Sequence, residues 1–400
     1  MGQSPLGQSL PEKGYGTIFA MGTPEINLDA VQRERLTRQV VARWRVLTGG
    51  RTTSDRDRRT LVACSGGADS VACALMLAAG TGTRAAAGPG PGVEAGPASG
   101  IVLGHVVHDL RPAEETRADR DLVAELAARL GLGFVEASIT VQDKPGNAEA
   151  NAREARYRQL ERLAWEAGCP FVAAAHHAND QVETMLMAML RGAGVGGMAG
   201  MPPRRTLGDR GVVLVRPMLE VGRAEAERLC SLAGVAWATD STNADTSRLR
   251  AGLRHGAVAA MERLRPGGMA RAAATAARLR EVAELVDDLA EALGRKAKRT
   301  GGETGREIKE GADSPPRPTS LGWSRAELAA THPVILAAAL RSAYTELHQG
   351  KQADSLPARS VQQVTAAIRE ENRTERTFSW QGVEVVVGSQ TVTLRRIADG

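Results

Sequence analysis

The residues best suited to carry chemistry lie in one short stretch between an apolar strand pattern and an apolar helix pattern. Residues 61–63 predict a short buried strand, and the apolar run 71–79 predicts a helix. The stretch between them contains Ser65, Gly66, Gly67, Ala68, Asp69 and Ser70. A helix N-terminus presents unpaired N–H groups and a positive dipole end, and glycines let a phosphate approach the backbone. The stretch therefore predicts an anion site, with the two serine hydroxyls as further donors.

Two details of this stretch narrow the kind of anion. It has no lysine, so it does not match the Gly-x-x-x-x-Gly-Lys-Ser/Thr pattern that grips a γ-phosphate. Asp69 would lie among phosphate donors, where a carboxylate is unfavourable unless Mg²⁺ bridges it to the nucleotide. Such a loop suits the pyrophosphate of ATP while the α-phosphate is attacked. A strand–helix turn, with glycine for geometry and serine for capping, is the structural alternative, but the complete hexapeptide favours ATP.

A pair of carboxylates follows another predicted strand. Residues 171–175 are apolar and run into His176 and His177, and the helix that follows carries Asp180 and Glu183. The buried stripe predicted for that helix consists of Val182, Met185, Leu186, Met189 and Leu190. We expect the two carboxylates on the opposite face, where first-turn acids ordinarily complement the helix dipole. Their position after a strand favours a ligand, because open parallel sheets bind ligands at that edge.

Arginines form two further groups that can bind anions. Arg153 and Arg156 are three positions apart and share a helical face. That spacing suits a phosphate or a carboxylate, and equally a solvated helix edge. The second group consists of Arg248, Arg250, Arg254 and the basic cluster at residues 295–299.

Composition sets broad limits on the class of protein. Lys and Arg number 51 against 46 Asp and Glu, and the pI near 9.3 permits a nucleic-acid partner without requiring one. The four cysteines form no Cys-x-x-Cys pair, which argues against a disulfide framework and against cysteine zinc or iron–sulfur sites. No leader pattern and no apolar run of about 20 residues occurs, so we expect a cytoplasmic protein without a membrane partner. The oligomeric state, including a homodimer, stays open.

Pattern changes along the chain predict its domains. Alternating strand and helix patterns predict an α/β domain with a doubly wound, mainly parallel sheet. Later patterns are helical and then mixed, which is typical of a helical segment followed by a small α+β C-terminal domain. We expect a partly disordered N-terminal extension at 1–57, the α/β domain with the predicted ATP loop at 58–255, a helical segment at 256–299, a linker at 300–320 and the α+β domain at 321–400.

Seven motifs in one order carry a family resemblance. They are Ser-Gly-Gly-Ala-Asp-Ser (65–70), His-Val-Val-His-Asp-Leu-Arg-Pro (105–112), Gly-Asn-Ala-Glu with Ala-Arg and Arg-Tyr (146–157), Ala-His-His-x-x-Asp-Gln-x-Glu-Thr (175–184), Arg-Gly-Ala-Gly (191–194), Arg-Pro-Met-Leu (216–219) and Trp-x-x-Asp-x-Thr-Asn (237–243). Together they resemble the tRNA(Ile)-lysidine synthetases, a family of PP-loop, N-type ATP pyrophosphatases. The resemblance is close over residues 61–254 and loose elsewhere.

The resemblance implies a ligase that joins lysine to carbon 2 of the wobble cytidine in tRNA(Ile) with a CAU anticodon. ATP would adenylate the cytidine oxygen and release pyrophosphate, and the ε-amine of free lysine would then displace AMP. The resemblance implies ATP binding at residues 65–70 with Mg²⁺ at Asp69. It further implies catalytic roles for Asp69, Asp180, Glu183 and Arg111, lysine binding by Asp180, Glu183 and Arg153, and tRNA binding by Arg156, Arg248, Arg250 and Arg254. Residues 58–255 would then be the ATP-binding catalytic domain, and the helical segment at 256–299 would bind the tRNA.

Three positions depart from the family pattern. Val107 replaces Asp or Asn, Asn179 replaces Asp, and Ala251 replaces Asn.

Three other functions fit parts of the pattern. A PP-loop tRNA thiolase would need cysteines that are paired or placed to relay sulfur. An amide-forming ligase for a small substrate leaves the helical segment and the separate tail unexplained. A non-catalytic nucleotide- or RNA-binding module is favoured only by Val107 and Asn179.

Overall fold

The computed structural model of this protein describes residues 25–50, 52–55, 57–82, 100–108, 113–140, 148–238, 249–300, 318–348, 356–371 and 374–397. The chain divides into two compact units. The first unit comprises Met1–Ala178 and Pro202–Asp245, and the second comprises Asn179–Met201 and Thr246–Gly400. Residues 179–201 therefore group with the C-terminal part of the chain, although they fall inside the predicted catalytic domain. The predicted domain boundaries stay predictions.

Strands and helices are numbered along the chain. The strands are β1 (Thr60–Ala63), β2 (Ile101–His108), β3 (Gly133–Ile139), β4 (Phe171–Ala174), β5 (Arg204–Leu207), β6 (Val212–Val215), β7 (Lys298–Thr300), β8 (Ser320–Ser324), β9 (Arg376–Trp380), β10 (Val383–Val387) and β11 (Thr391–Arg396). The helices are α1 (Leu28–Arg33), α2 (Arg35–Leu47), α3 (Ala68–Gly80), α4 (Ala113–Leu130), α5 (Ala148–Glu166), α6 (Ala178–Leu190), α7 (Val195–Met198), α8 (Arg223–Ala233), α9 (Leu249–Leu253), α10 (Ala259–Leu264), α11 (Gly268–Arg295), α12 (Arg325–Ala330), α13 (Pro333–Leu347) and α14 (Ala358–Arg369). A π-helical turn, Arg254–Val258, joins α9 to α10.

The first unit is built on a six-stranded sheet of order β3-β2-β1-β4-β6-β5. Five strands are parallel, and only β5, at the edge, runs antiparallel to its neighbour β6. Alternate residues of β1, β2, β4 and β6 enter two apolar clusters, as a strand covered on both faces requires. Leu61 packs in the cluster that contains α5, whereas Val62 packs in the cluster that contains α3 and α8. The predicted doubly wound, mainly parallel sheet is confirmed.

Helix α3 forms the centre of the larger cluster. Residues 71–79 are all buried, because this run has no charged or strongly polar side chain to hold at the surface. A Cβ on Gly80 would lie 2.2 Å from Val41 Cγ2, so the end of α3 packs directly against α2. Apolar contacts hold the helix in place along its length. They therefore also fix the position of residues 65–70, which lead into its first turn.

The second unit contains a five-stranded antiparallel sheet of order β7-β8-β11-β10-β9, packed with α12, α13 and α14 around one apolar cluster. The small α+β part at the C-terminus is confirmed. Its sheet begins earlier than predicted, because β7 lies in the basic cluster at 295–299 and pairs Thr300 with Ser320. Residues 301–317 of the predicted linker lie outside the described residues. None of the helices described is both long and apolar enough to cross a membrane.

A buried arginine ties the elements of this α+β part together. Arg325, the first residue of α12, is buried and donates to the carbonyl oxygens of Ala367 and Ile368 at the end of α14. It also donates to the carbonyl oxygens of Glu370 and Gly388. These carbonyls include orphan acceptors of a helix C-terminus, where a cation is electrostatically favoured.

Replacing Arg325 should therefore destabilise the C-terminal part specifically. We expect Arg325→Ala to cost about 3 kcal/mol, because several buried carbonyls lose a charged donor at once. Hydrogen exchange of α14 amides measures this local loss. Arg359→Ala, at an exposed position of the same helix, is the control and should change exchange little. Equal effects of the two variants would contradict the capping role of Arg325.

Candidate functional site

The phosphate loop, residues 65–70, joins β1 to α3. Gly67 caps α3 in an extended conformation with φ −71° and ψ 157°, and no side chain of the described structure caps the helix. The first-turn amides of α3 therefore have no intrahelical acceptor and no capping side chain. Gly66 has φ +88°, a left-handed conformation that side chains with a Cβ rarely adopt. The local geometry is that of a phosphate-accepting strand–turn–helix.

The two serine hydroxyls of the loop have different roles. Ser70 is buried, and its hydroxyl donates to Gly67 O at 2.9 Å and accepts from the Ser65 amide at 3.1 Å. The Ser70 hydroxyl proton is therefore already used in a hydrogen bond within the loop. Ser65 is exposed, and its Oγ lies 3.4 Å from Ser70 Oγ. Ser65 is the hydroxyl that a phosphate can reach, while Ser70 holds the turn closed.

Side chains behind the loop hold its backbone. His105 Nδ1 lies 2.8 Å from Cys64 O, and Cys230 Sγ donates to Ala68 O at 3.4 Å. Burial raises the pKa of the Cys64 thiol, and burial followed by the charge of Asp69 raises the pKa of Cys230 to about 12. Both thiols therefore stay protonated near neutral pH and can act as weak hydrogen-bond donors. They support the loop rather than act as nucleophiles.

Asp69 lies in the first turn of α3 and faces His177, which follows β4. Asp69 Oδ2 and His177 Nε2 are 3.3 Å apart. The other oxygen, Asp69 Oδ1, is buried and accepts no hydrogen bond in the described part of the chain. A cation would satisfy this oxygen, so the carboxylate fits Mg²⁺. The described residues hold no group of three His, Cys, Asp or Glu side chains placed to share a metal ion.

In the second unit, two carboxylates and two arginines form a compact charged cluster. Glu183 is 0% exposed. Its Oε2 accepts from Arg250 Nε at 2.8 Å, and its Oε1 accepts from Arg254 Nε at 2.7 Å. Asp180 Oδ1 lies 3.3 Å from Arg250 Nη2 and 3.4 Å from Arg254 Nη2. The cluster is formed because Asp180 and Glu183 are three positions apart on α6 and the arginines are four positions apart on the facing helical turns.

This cluster overturns the predicted buried stripe of α6. Val182 is buried as expected, but Met189 and Leu190 are 57% and 64% exposed. Glu183, expected on the solvent side, is instead fully buried. Helical spacing identifies an apolar stripe but not the face that packs, and here two ion-paired arginines let the acidic face be the buried one.

The remaining predicted site residues are placed as follows. Arg153 is exposed, with its guanidinium carbon 5.3 Å from the Tyr157 ring centroid, and Arg156 is exposed on the same helix, α5. Arg111 and Arg248 lie outside the described residues. Of the positions that depart from the family pattern, Val107 lies in β2, Asn179 in α6 and Ala251 in α9.

Two arginines that the sequence analysis did not single out also surround Tyr157. The guanidinium carbon of Arg205, on β5, lies 4.6 Å from the Tyr157 ring centroid. Arg216 follows β6, is 2% exposed, and donates through Nε to His176 Nδ1 at 3.2 Å and through Nη1 to Pro202 O at 2.6 Å. Its position after a parallel strand, in Arg-Pro-Met-Leu, was the signal that could have identified it.

The charge of Glu183 should be essential to the packing of α6. We expect Glu183→Gln to destabilise the second unit by about 3 kcal/mol, because two partly buried guanidinium groups lose their shared anion. Hydrogen exchange of amides in α6 and α9 measures this loss. Glu291→Gln removes an exposed ion pair with Arg295 in the same unit and should cost less than about 1 kcal/mol. Unchanged hydrogen exchange in the Glu183→Gln variant would show that the cluster does not stabilise the fold.

Comparison with known proteins gives relatives that match somewhat more than half of the chain. The chain is 41% identical over 218 residues to the tRNA(Ile)-lysidine synthase of Salinispora arenicola. The aligned residues make up 54% of this chain and 60% of the relative. The chain is also 36% identical over 243 residues to the tRNA(Ile)-lysidine synthase of Ralstonia nicotianae. Here the aligned residues make up 59% of this chain and 51% of the relative. The chain thus spans about half to three-fifths of these relatives' length.

A solved structure and a family model were also matched. The structure is the U34-tRNA thiolase NcsA from Methanococcus maripaludis with its [4Fe-4S] cluster, at 15% identity and a TM-score of 0.46, covering 62% of this chain and 79% of that one. A likeness of this size carries nothing about activity. The family model of the PP-loop domain matches residues 36–261, more than half of the 400 residues. The chain therefore belongs to the PP-loop domain family.

Proposed function

We propose that this protein ligates lysine to carbon 2 of the wobble cytidine of tRNA(Ile) with a CAU anticodon, at the expense of ATP. The observation that carries the proposal is the phosphate loop at the start of α3, which has free helix amides and Asp69 but no γ-phosphate lysine. Membership of the PP-loop domain family and relatives named tRNA(Ile)-lysidine synthase support it. ATP and the tRNA are then substrates.

In the first step, the cytidine carbonyl oxygen attacks the α-phosphorus of ATP and pyrophosphate leaves. The first-turn amides of α3 and the Ser65 hydroxyl would bind the phosphates and stabilise the charge on the departing pyrophosphate. Ser70, His105 and Cys230 would hold those donors in place. Asp69 would hold Mg²⁺, which would neutralise phosphate charge. The target base must leave its stack to reach such a loop.

In the second step, the ε-amine of lysine attacks carbon 2, AMP leaves, and a proton passes to a base. Asp180 and Glu183 are the carboxylates we assign to the ammonium group and to its proton. Both already bind Arg250 and Arg254, so the cluster carries two negative and two positive charges before lysine arrives. Lysine binding would therefore require that an arginine move off Asp180, the more loosely bound carboxylate.

Four buried, free cysteines favour this reaction over sulfur transfer. Burial, followed by the neighbouring Cys64, raises the pKa of Cys73 to about 12, and the other three thiols also have raised pKa values because of burial. Thiols of this kind are poor sulfur carriers. Free thiols also suit a reducing cytoplasm, where we place the reaction.

The decisive assay offers the protein ATP, Mg²⁺, lysine and an unmodified CAU-anticodon isoleucine tRNA. We expect a gain of one lysine on cytidine, detected by mass spectrometry of the digested nucleosides, with AMP and pyrophosphate released. Replacing lysine with a sulfur donor or ammonia tests the thiolase and amide-ligase alternatives. A product formed only with one of those donors would reject the proposal.

Asp69 should be needed for the first step. We expect Asp69→Ala to slow pyrophosphate release on the order of 10²-fold or more without unfolding the protein, because the loop loses its cation-binding carboxylate. Asp121→Ala, at an exposed position of α4, is the matched control and should keep full activity. Unchanged pyrophosphate release by the Asp69 variant would contradict the magnesium role.

A further inference from the structure

The first unit gathers positive charge around one tyrosine, Tyr157. The guanidinium groups of Arg153 and Arg205 lie over Tyr157, at 5.3 Å and 4.6 Å from its ring centroid. Burial lowers the pKa of Arg216, and the nearby positive charges of Arg205 and Arg153 lower it further. Because Arg153 is on α5, Arg205 on β5 and Arg216 after β6, three separate elements converge on this point.

Several other arginines of the first unit form ion pairs with carboxylates. Arg158 and Arg162 on α5 pair with Glu154 and Glu166, and Arg120 pairs with Glu136. Within the described parts of the chain, no carboxylate lies within ion-pair distance of Arg153, Arg205 or Arg216. The arginines around Tyr157 therefore carry an excess of positive charge that the described residues do not neutralise.

Burying one of these charges is costly without an anion. Arg216 is almost fully buried, and its partners are the Pro202 carbonyl, His176 Nδ1 and the Tyr157 side chain, none of which is a carboxylate. Burial lowers the pKa of the Arg216 guanidinium, Tyr157 raises it, and the charges of Arg205 and Arg153 lower it again. A bound oxyanion would relieve both the desolvation and the mutual repulsion of the three groups.

The shape of the cluster favours an extended anion over a small enclosed one. Arg153 and Arg205 are exposed, and β5 is the edge strand, so this face is open to a large partner. Trp165 lies further along α5 and is 60% exposed. Arg210, between β5 and β6, lies 5.8 Å from its ring centroid and pairs with Glu161 at 3.8 Å. Tyr157 and Trp165 are about 12 Å apart along the helix axis, which is room for more than one phosphate of a nucleic-acid strand. Arginine interleaved with aromatic rings is typical of RNA-binding surfaces.

We propose that Arg153, Arg205 and Arg216, gathered around Tyr157, bind a backbone phosphate of the RNA substrate. The identity of that RNA rests on the proposed function. The site assigns Arg153 to the RNA rather than to the carboxylate of lysine. Arg216 supplies the buried charge, and the two exposed arginines orient the phosphate between them.

Salt-dependent binding tests this site directly. Arg205→Ala and Arg153→Ala remove exposed side chains and are expected to fold. Binding of unmodified CAU-anticodon tRNA, followed by fluorescence anisotropy from 50 to 300 mM KCl, should weaken by about 3–10-fold in each variant, and the slope of log K against log salt should fall by about 1. Arg205→Lys should restore the slope. Arg158→Ala, an ion-paired arginine of the same helix, is the charge-matched control and should change neither quantity.

The remaining measurements distinguish a backbone phosphate of RNA from the carboxylate of lysine as the bound oxyanion. A raised KM for lysine with unchanged tRNA binding would assign the cluster to the lysine carboxylate and overturn the proposal. Unchanged tRNA affinity and unchanged salt slope would also overturn it. If the wild-type protein binds tRNA but forms no lysidine, the proposed function fails while the salt slopes still decide the phosphate site. If lysidine forms normally but the slopes do not change, only the phosphate site fails.

Discussion

The burial of α3 is the constraint on which the phosphate loop depends. A helix that is apolar along residues 71–79 must be covered throughout, and α2, α8 and the sheet cover it. Only its N-terminal amides then remain for a ligand, and they sit at the carboxyl edge of a parallel sheet because β1 leads directly into the helix. The chemistry of the loop is thus a consequence of packing that is remote from the nucleotide.

Charge is distributed unevenly between the sites, and the distribution decides what each one can bind. The loop offers neutral amides and one carboxylate with a free oxygen, which suits phosphates brought with a divalent cation. The cluster of Glu183 with its two arginines has balanced charges and is already satisfied. The arginines around Tyr157 are unbalanced, so they attract an anion without help from a cation. The phosphate loop, the Glu183 cluster and the arginines around Tyr157 therefore differ in their balance of charge.

The sequence predicts the sheet, the strand–turn–helix around residues 65–70 and the C-terminal α+β part well, because each depends on local pattern. Apolar strands, glycine at a turn and an apolar helix are visible within a few residues of one another. The burial of Glu183 was not predictable, since it depends on Arg250 and Arg254, about 70 positions away. Arg205 was missed because β5 shows no apolar alternation, and an edge strand needs none when its outer side is solvated.

The same edge strand has a consequence for how this protein coexists with its own copies. A sheet of mostly parallel strands ends at β5 in a row of backbone groups that another strand can join. Arg204 and Arg205 are both exposed there, and like charges on two copies repel each other when the edges approach. The arginines on this edge therefore oppose the addition of a strand from a second copy.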